Sequence, residues 1–438
     1  MASPKSSPDL LQRLKVRKFK AGVIGLGYVG LPLAMELVEA GVPVVGIDVD
    51  ESKVRKLNAG GSYIGDIPSA TVKRAVDAGL FSATTDFTAI AKLDTVNVCV
   101  PTPLRKTKDP DLSYIVAAAE QIEKHLHKGM LVILESTTYP GTTEEVMVPM
   151  AERKGLTVGR DVFFAFSPER VDPGNEKFTT RNIPKVVGGV TPACSKVAAA
   201  FYGAFLENVH PVSRAAVAEM VKLLENTFRS VNIGLVNEMA LMCDRMGLDV
   251  WEVIDAAKTK PFGFMPFYPG PGIGGHCIPL DPFYLSWKAK QFGFESRFIE
   301  LAGVVNGQMP HYAVDKVGDA LNRFRKSVNG AKVLVLGVAY KKDIDDVRES
   351  PALDIIHLLQ KKGAVLSYCD PHVATLQDGG KRMKGVPFTA DTLRKADCVV
   401  IVTNHAAFDY ALVSRHSKVV VDTRNAMKGF PGKNIVKL

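Results

Sequence analysis

Short apolar runs recur along the first half of the chain, separated by polar segments with helical spacing. The runs are AGVI, VPVVGI, TVNVCV, MLVIL and VFFAF. Continuous apolar runs of this length are typical of strands buried on both faces, and their alternation with helices is typical of parallel sheets. The same rhythm returns from Ala331 onward in AKVLVL, AVLSYC, CVVIV and KVVVD. The pattern predicts two doubly wound α/β domains, over residues 19–212 and 329–438.

Between these two domains the apolar spacing becomes helical. From Ala215, about thirty residues keep apolar side chains at positions i, i+3 and i+4 without a proline. This predicts a long helix within a central helical domain, residues 213–328. The helix is interpreted either as a core element that joins two domains or, as we favour, as a spine that also carries a contact in a homodimer or a higher homo-oligomer.

The net charge of +9 raises the question of an anionic partner. Residues 1–20 hold six basic side chains against Asp9 alone, so more than half of the excess lies in this short segment. We define residues 1–18 as a basic N-terminal tail and expect it to be disordered or loosely packed. The rest of the chain is mildly basic and does not interleave its charges with aromatic residues, so no nucleic-acid partner is expected.

Cysteine usage and hydropathy narrow the cellular setting. The six cysteines stand singly, with no CxxC pair, so neither a metal site nor a disulfide framework is expected. Single cysteines in a chain of this size fit a reducing compartment. The first residues lack the continuous apolar core of a secretory signal, and no stretch approaches the length of a membrane span. We therefore expect a cytoplasmic protein with no membrane partner.

The sequence GLGYVG, Gly25–Gly30, stands between the first predicted strand and a helix. In this pattern Gly25 permits a tight turn, Gly27 lets the backbone approach a pyrophosphate, and Gly30 allows helix and strand to pack closely. The helix N-terminus then offers N–H donors to the phosphates. Asp48 ends the second strand, where a carboxylate binds ribose hydroxyls and repels a 2′-phosphate, so NAD is favoured over NADP. The alternative is a glycine-rich turn that binds nothing.

A second glycine-rich segment, GGHCIPLD, contains Cys277. Its adjacent glycines free the backbone to approach a ligand, and Asp281 follows four residues after the thiol. A nucleophilic cysteine needs thiolate character, which a nearby cation or backbone donors supply. The neighbouring His276 is a weaker candidate, as a base. For the other five cysteines we expect the role of a small buried apolar residue.

Two further sets of polar residues fit a reaction site. Lys222 and Asn226 are four residues apart on the predicted long helix, so they project from one face as donors for a developing oxyanion. The alternative for both is a solvated helix surface. The segments EST, ending at Thr137, and SPER, ending at Arg170, follow apolar strands, where doubly wound domains place ligand-binding loops. Glu169 could orient or deprotonate a water there, or be a carboxylate on the surface of a loop.

Together these motifs resemble the UDP-glucose/GDP-mannose dehydrogenase family, from about Lys18 to Leu438. The GGxCxPxD string is the most specific element, and GxGYVG alone would not identify the family. The resemblance implies two Rossmann-like domains around a central helical domain. In chain order the similar segments are GLGYVGLPLA, CVPTP, ESTTYPGTTEE, SPERVDPGN, KLLENTFRSVNIGLVNE, KPFGFMPFYPGPGIGGHCIPLDP, GVAYKKDIDDVRESPA and VVVDTRN.

The resemblance implies a four-electron oxidation, in which a C6 alcohol of a UDP-sugar becomes a carboxylate and NAD accepts the hydrides. An aldehyde forms first, Cys277 adds to it, a second hydride transfer leaves a thioester, and water hydrolyses the thioester. By family position Lys222 and Asn226 stabilise the oxyanion, and Glu169 is the general base. The full catalytic set is Cys277, Lys222, Asn226, Asp281, Glu169 and Thr137, with Asp281 and Thr137 positioning the water.

The family positions also imply two binding sets. In the substrate half, backbone donors of the loop Phe262–Gly275 would hold the phosphates. The cofactor set is Gly25, Gly27, Tyr28, Val29, Gly30, Asp48, Lys53, Thr102, Thr137 and Arg424. The substrate set is Glu169, Arg170, Lys222, Asn226, Arg229, Tyr268, Gly274 and Lys341.

Two departures from the UDP-glucose enzymes indicate a different sugar pocket. Those enzymes carry GGSCFxKD and NPEFLAEG, so Leu280 replaces a lysine here and Pro173 an acidic residue. The changes match the N-acetylhexosamine branch, in surface polysaccharide synthesis, and the expected substrate is UDP-N-acetylglucosamine. Arg229, absent from the UDP-glucose type, either lines the sugar pocket or lies on the surface.

Several alternatives stay open. UDP-N-acetylmannosamine, UDP-N-acetylgalactosamine or UDP-glucose could be the substrate, because spacing cannot read stereochemistry at one carbon. From other classes, an inactive nucleotide-sugar-binding protein and a two-electron dehydrogenase also fit the scaffold. The first is disfavoured because a retired enzyme need not keep Cys277, Lys222, Asn226 and Asp281 together.

Overall fold

The computed structural model describes most of the chain. Residues 1–6 of the N-terminal tail, the end of the SPERVDPGN segment with Pro173, and His276 lie outside the described residues. The described ranges are 7–103, 109–171, 180–275, 277–378, 381–430 and 432–438.

The chain forms two compact units. The first comprises Met1–Glu225 and Trp287–Phe294, and the second comprises Asn226–Ser286 and Glu295–Leu438. The segment expected to form the central domain, residues 213–328, is divided between them.

The first unit is built on an eight-stranded sheet. The strand order is β3-β2-β1-β4-β5-β6-β7-β8, and among these strands only the β6–β7 pair is antiparallel. The strands are β1 (Ala21–Ile24), β2 (Val44–Ile47), β3 (Phe81–Thr84), β4 (Thr95–Val98), β5 (Leu131–Leu134), β6 (Phe163–Phe166), β7 (Lys185–Gly189) and β8 (Val209–Val212). The helices are α1 (Ser7–Lys15), α2 (Gly30–Glu39), α3 (Glu51–Asn58), α4 (Ser69–Asp77), a 3-10 helix (Phe87–Lys92), α5 (Ser113–His125), α6 (Thr142–Arg153) and α7 (Pro192–Tyr202).

Side-chain alternation along the strands explains why their apolar runs are continuous. In β5, Leu131 and Ile133 belong to one hydrophobic cluster, and Val132 and Leu134 belong to another. Successive side chains of a strand point to opposite faces, so both faces of this sheet are buried. The strand order reverses between β1 and β4, and doubly wound sheets bind ligands at the carboxyl ends of the strands at such a point.

The expectation of a disordered N-terminal tail is wrong for its described part. Leu10 and Leu14, one helical turn apart on α1, are both buried in the core of the first unit. The guanidinium of Arg13 donates to both carboxylate oxygens of Asp94, at 2.7 and 2.5 Å. Two apolar residues at helical spacing and one ion pair therefore fix a segment whose net charge alone suggested loose packing.

The second unit holds a smaller parallel sheet with the order β10-β9-β13-β14-β15, and a separate antiparallel hairpin, β11–β12. The strands are β9 (Lys332–Leu336), β10 (Val365–Cys369), β11 (Thr375–Asp378), β12 (Lys381–Lys384), β13 (Cys398–Ile401), β14 (Val420–Asp422) and β15 (Ile435–Lys437). The remaining helices are α8 (Ala215–Met246), α9 (Val250–Ala257), α10 (Asp281–Lys290), α11 (Arg297–Arg323), α12 (Pro351–Lys361), α13 (Ala390–Lys395) and α14 (Tyr410–His416).

The predicted fold class is confirmed, with two doubly wound sheets and a long helix, α8, of 32 residues. The sequence does not predict the edge strand β8, because His210 and Pro211 interrupt its apolar pattern and are exposed. Within the described ranges, no helix combines the length and the apolar character that crossing a bilayer requires.

Candidate active site

The loop after β1 has the geometry of a dinucleotide cradle. Gly25 has a φ of +88°, and a Cβ there would lie 2.6 Å from the carbonyl oxygen of Cys99. A Cβ on Gly30 would lie 1.9 Å from the carbonyl oxygen of Gly25. Gly27 has no atom within 4 Å of its would-be Cβ, so the residues fit a pyrophosphate lying against this backbone. The other two loop residues of the cofactor set directly precede α2: Tyr28, which is exposed, and Val29, which is half-buried.

Asp48 ties the end of β2 to this loop. Its Oδ2 accepts the N–H of Leu26 at 2.9 Å, and its Oδ1 accepts the N–H of Asp50 at 3.0 Å. The ammonium of Lys53 lies 3.5 Å from Oδ2. These contacts fix the carboxylate at the carboxyl end of β2, the position from which an acidic residue binds ribose hydroxyls.

Sequence reasoning missed Tyr63, which closes over the same loop. Its hydroxyl donates to the carbonyl oxygen of Leu26 at 2.6 Å, and the Lys53 ammonium lies 5.9 Å from its ring centroid. Burial, and then the charge of Asp48, raises the pKa of the Tyr63 phenol, so the hydroxyl remains a donor. Its signal in the sequence is a lone aromatic residue in the polar stretch GGSYIGD, which matches no motif.

Thr102 and Thr137 follow two adjacent strands, β4 and β5. These strands pair in parallel, so the two loops begin side by side at one edge of the sheet. The hydroxyl of Ser136 donates to the carbonyl oxygen of Val100 at 2.8 Å and holds the loops together. Thr102 is buried, whereas Thr137 is half-buried.

Glu169 follows β6 and is held in one orientation. Its Oε1 accepts the N–H groups of Arg170 and Val171, at 2.7 and 2.8 Å. Its Oε2 lies 3.3 Å from the ammonium of Lys185. Burial alone would raise the pKa of Glu169, but Lys185 and the two N–H donors outweigh it, so the pKa lies below its ordinary value. The carboxyl group is therefore ionised at neutral pH.

Arg170, expected to bind the substrate, has partners on the protein itself. Its Nε and Nη2 donate to the two carboxylate oxygens of Glu225, at 3.2 and 2.5 Å. Its Nη1 donates to the carbonyl oxygen of Pro184 at 2.8 Å. These bonds tie the loop after β6 to α8, a role for which the sequence gives no signal.

Within the second unit, three residues of the catalytic set lie together. The amide of Asn226 donates to Oδ2 of Asp281 at 2.5 Å, and both side chains are buried. The N–H of Asp281, the first residue of α10, donates to the carbonyl oxygen of Cys277 at 2.8 Å. On α8, Lys222 is half-buried one turn before Asn226, and Arg229 is exposed.

The cysteines divide as expected. Cys277 is exposed. The other five are buried, which confirms their expected role as small apolar residues: Cys99, Cys194, Cys243, Cys369 and Cys398.

The glycines before Cys277 allow close packing against the loop after β9. A Cβ on Gly274 would lie 2.7 Å from the Cβ of Tyr340 and 2.8 Å from the carbonyl oxygen of Glu349. Gly275 has a φ of +86°, and its Cβ would meet the ring of Tyr340. Both positions therefore require glycine because Tyr340 and the backbone of Glu349 lie where a side chain would begin. Tyr340 precedes Lys341, so this contact brings Gly274 near another residue of the substrate set.

Arg424 and Tyr268 lie in one pocket of the second unit. The rings of Tyr268 and Trp251 stack with centroids 6.0 Å apart. The Nε of Arg424 donates to the carbonyl oxygen of Val402 at 2.9 Å, and burial lowers the pKa of the guanidinium to about 10, so it stays charged. Arg424 belongs to the cofactor set, but its neighbour Tyr268 belongs to the substrate set. The pocket has a volume of about 370 Å³ and is lined by Trp251, Asp255, Tyr268, Pro269, Asn404, Arg424, Asn425 and Lys428.

Three family signatures match the chain in order. The NAD binding domain of the UDP-glucose/GDP-mannose dehydrogenase family matches residues 19–206. The central domain of that family matches residues 216–308, and its UDP binding domain matches residues 334–429.

Individual relatives agree with these signatures. A UDP-N-acetyl-D-glucosamine 6-dehydrogenase of Pseudomonas aeruginosa is 36% identical over 395 residues, which is 90% of this chain and 92% of the relative. An NDP-N-acetyl-D-galactosaminuronic acid dehydrogenase of Ralstonia solanacearum is 36% identical over 416 residues, covering 92% and 95% of the two chains. The solved UDP-D-ManNAc dehydrogenase of Pyrococcus horikoshii superposes with a TM-score of 0.88 at 32% identity, covering 95% and 98%.

The cradle at Gly27, the signatures and the relatives lead to one conclusion. The chain belongs to the UDP-glucose/GDP-mannose dehydrogenase family, and it is an NAD-dependent nucleotide-sugar dehydrogenase.

Proposed function

We propose that the protein oxidises the C6 alcohol of UDP-N-acetylglucosamine to the carboxylate in four electrons, through a thioester on Cys277. The observation that carries this proposal is the arrangement around that thiol. Among the six cysteines Cys277 alone is exposed. Its carbonyl oxygen accepts the N–H of Asp281, and the carboxylate of Asp281 in turn accepts the amide N–H of Asn226. An exposed thiol beside a buried, hydrogen-bonded amide and carboxylate suits covalent catalysis on a polar substrate.

The first step removes a hydride from C6, and the hydroxyl proton passes to solvent water. NAD, when bound, supplies the hydride acceptor. Lys222 and Asn226 stand one turn apart on α8 and would stabilise the oxygen as it becomes an alkoxide. Asp281 fixes the amide of Asn226, so this donor needs no reorganisation during the reaction.

Cys277 makes the second oxidation feasible. An aldehyde gives up no hydride readily until a nucleophile has added to its carbonyl carbon. The Cys277 thiolate adds there, a C–S bond forms, and the resulting thiohemiacetal loses the second hydride to become a thioester. The N–H groups of Leu280 and Asp281 donate to the carbonyl oxygen of Cys277 and fix the turn that carries the thiol.

Hydrolysis of the thioester completes the reaction. Water attacks the carbonyl carbon, its proton passes to Glu169, and the C–S bond breaks to return the Cys277 thiolate. Glu169 suits this role because its carboxyl group is ionised and keeps 17% of its side chain exposed. Thr137 and Asp281 would position the water.

The UDP part of the substrate is assigned to the second unit. The pocket combines two cations, Arg424 and Lys428, with the stacked rings of Trp251 and Tyr268, so we reassign Arg424 from the cofactor set to the diphosphate. Cations suit a diphosphate, and an aromatic face suits the uracil ring. Lys341 would add a further positive charge, and the loop Phe262–Gly275 would contribute backbone N–H donors.

The N-acetylhexosamine assignment rests on the relatives, whose names include UDP-N-acetylglucosamine, UDP-N-acetylmannosamine and N-acetylgalactosaminuronic acid. The other two sugars, and UDP-glucose, are the alternatives for the same reaction. Arg229 is assigned to the sugar pocket and is exposed on α8. The product would feed surface polysaccharide synthesis in the cytoplasm, a compartment that also keeps single cysteines reduced.

A homodimer through α8 is part of the proposal. The apolar side chains exposed along this helix are spaced by three, four or seven residues, which is one or two helical turns. They therefore form a stripe along one face of the helix. Multi-angle light scattering should give twice the chain mass, and Met242→Glu should halve it; a monomeric wild type contradicts the dimer. The exposed residues are Val217, Met220, Leu224, Phe228, Leu235, Met242 and Met246.

The stoichiometry of NADH tests the reaction. We expect two NADH per UDP-N-acetylglucosamine consumed, and the highest kcat/KM for this sugar in a panel of UDP-sugars. Cys277→Ala should form no acid, whereas the matched control Cys243→Ala, at a buried cysteine, should retain the reaction. One NADH per sugar, or full acid production by Cys277→Ala, would contradict the thioester route.

A further inference from the structure

One buried ammonium joins the buried carboxylate of Glu135 to the half-buried carboxylate of Glu169. Lys185 is the first residue of β7, and its side chain is 4% exposed. Its Nζ lies 2.8 Å from Oε2 of Glu135 and 3.3 Å from Oε2 of Glu169. All three residues belong to the first unit. Lysine is almost never buried unless it is paired, and here two carboxylates pair with it.

Glu135 anchors the ammonium from the far side. Its Oε1 accepts the amide N–H of Asn97 at 2.6 Å and the hydroxyl of Tyr202 at 2.8 Å. Its side chain is fully buried, with Oε2 left to Lys185. Burial alone would lower the pKa of Lys185, but Glu135 and Glu169 outweigh it and raise the pKa, so Lys185 is a cation.

The charges around Glu169 show what Lys185 contributes. Two carboxylates that share a buried site cannot both ionise unless a cation separates them. Lys222 adds a weaker positive charge, Arg170 is occupied by Glu225, and burial raises the pKa of the nearby Cys99 thiol, which stays neutral. Lys185 is therefore the cation in direct contact with Glu169 among the described residues.

We propose that Lys185 is a positioning residue of the reaction, which keeps Glu169 ionised and oriented to take the proton of the hydrolytic water. The inference rests on the proposed function, because it assigns Lys185 to the hydrolysis of the thioester. In that step the new C–O bond forms, the C–S bond breaks, and one proton moves from water to Glu169. Because its side chain is only 4% exposed, Lys185 would act through Glu169 and not on the substrate or the cofactor, and Glu135 holds it in place.

The pH dependence of hydrolysis tests this proposal in the full-length chain with UDP-N-acetylglucosamine. A single turnover separates the fast NADH phases from the decay of the thioester, followed by acid quench. In Lys185→Met the acid limb of the decay rate should move up by about one pH unit or more, because Glu169 loses its cation. A lower rate at pH 7, where Glu169 stays ionised, would measure the loss of its orientation. Lys185→Arg keeps the charge and should restore most of the rate and the profile. The surface control Lys196→Met should match the wild type.

A second variant tests the same pair with the opposite sign. Glu135→Gln removes the carboxylate that competes for Lys185, so the acid limb should move down. If Lys185→Met does not fold, this shift decides the question, and an unchanged limb in Glu135→Gln overturns the proposal. An unchanged limb in a folded Lys185→Met, or an equal shift in Lys185→Arg, also overturns it. If the wild type forms only one NADH per sugar, the proposed function fails instead.

Discussion

The loops after β1 and β9, the first strands of the two large sheets, contain the same glycine turn. They differ in the space that the turn leaves for a ligand. Gly25 after β1 and Gly337 after β9 have φ of +88° and +79°. A Cβ would lie 2.6 Å from the carbonyl oxygen of Cys99 in the first sheet and 2.3 Å from that of Thr403 in the second. Both sheets need glycine at this corner because the neighbouring strand passes close to it.

The second glycine of the motif distinguishes the loop of the first sheet from that of the second. Gly27 faces open space, whereas its counterpart in GVAYKK is Ala339, which is fully buried. The hydroxyl of Thr403 donates to the carbonyl oxygen of Ala339 at 2.6 Å. The first glycine thus meets a steric need of both sheets, and the open space at the second glycine is the basis for assigning Gly27 to the dinucleotide.

The acidic residue at the end of the second strand differs in the same way. From the loop after β1, Asp48 accepts one N–H, that of Leu26, whereas from the loop after β9 Asp370 accepts two, from Val338 at 2.7 Å and Ala339 at 3.1 Å. The Nε2 of the buried His405 also lies 3.0 Å from Asp370. A ribose hydroxyl would have to displace this ring to reach Asp370.

The largest expected effect comes from the shared corner. Gly25→Ala and Gly337→Ala should each lower the free energy of unfolding by about 3 kcal/mol, because the new Cβ meets a backbone oxygen at a positive φ. Urea denaturation measures the loss in each variant. If one of the two substitutions is neutral, the corner is not a requirement that the two sheets share.

The next effect is confined to the first sheet. Gly27→Ala should leave unfolding unchanged, since its Cβ enters open space, but should weaken NAD binding by about ten- to a hundredfold. Gly307→Ala, where a Cβ also meets nothing, is the matched control and should bind NAD normally. Isothermal titration calorimetry measures both, and unaltered affinity in Gly27→Ala would remove the distinction between the two loops.

The smallest effect is a pH dependence in the second sheet. Burial raises the pKa of Asp370, but His405 and the N–H donors outweigh it, so its folded pKa lies below the unfolded value. Asp370 therefore stabilises the fold above about pH 4, and this contribution is lost as the pH falls further. Asp370→Asn should flatten the loss of unfolding free energy between about pH 5 and pH 3, whereas the exposed control Asp315→Asn should not. Equal slopes in the three proteins would contradict this account of Asp370.

The residues predicted from sequence are those whose signal is local. The apolar runs and GLGYVG predict the sheets and the cradle, since strand, turn and helix are contiguous there. Tyr63 and Lys185 escape prediction because their partners lie far along the chain, as Lys185 pairs with Glu135. In the sequence, a lone lysine at the start of an apolar strand resembles a surface residue. Only the folded sheet places the Glu135 carboxylate beside it.

The prediction of a loosely packed N-terminal tail failed for a different reason. Net charge describes a whole segment, but Leu10 and Leu14 at helical spacing decide how it packs. The packing of Gly274 against Tyr340 could not be predicted either, since it depends on a loop that follows β9.

The most direct test of the central claim is the intact mass of a trapped intermediate. Glu169→Gln, incubated with UDP-N-acetylglucosamine and NAD and quenched in acid, should accumulate a thioester at Cys277. Its mass should exceed that of the free chain by the mass of the sugar nucleotide less four hydrogens, and peptide mapping should place it on the peptide that contains Cys277. An unmodified Cys277 after NADH has formed would contradict the covalent route.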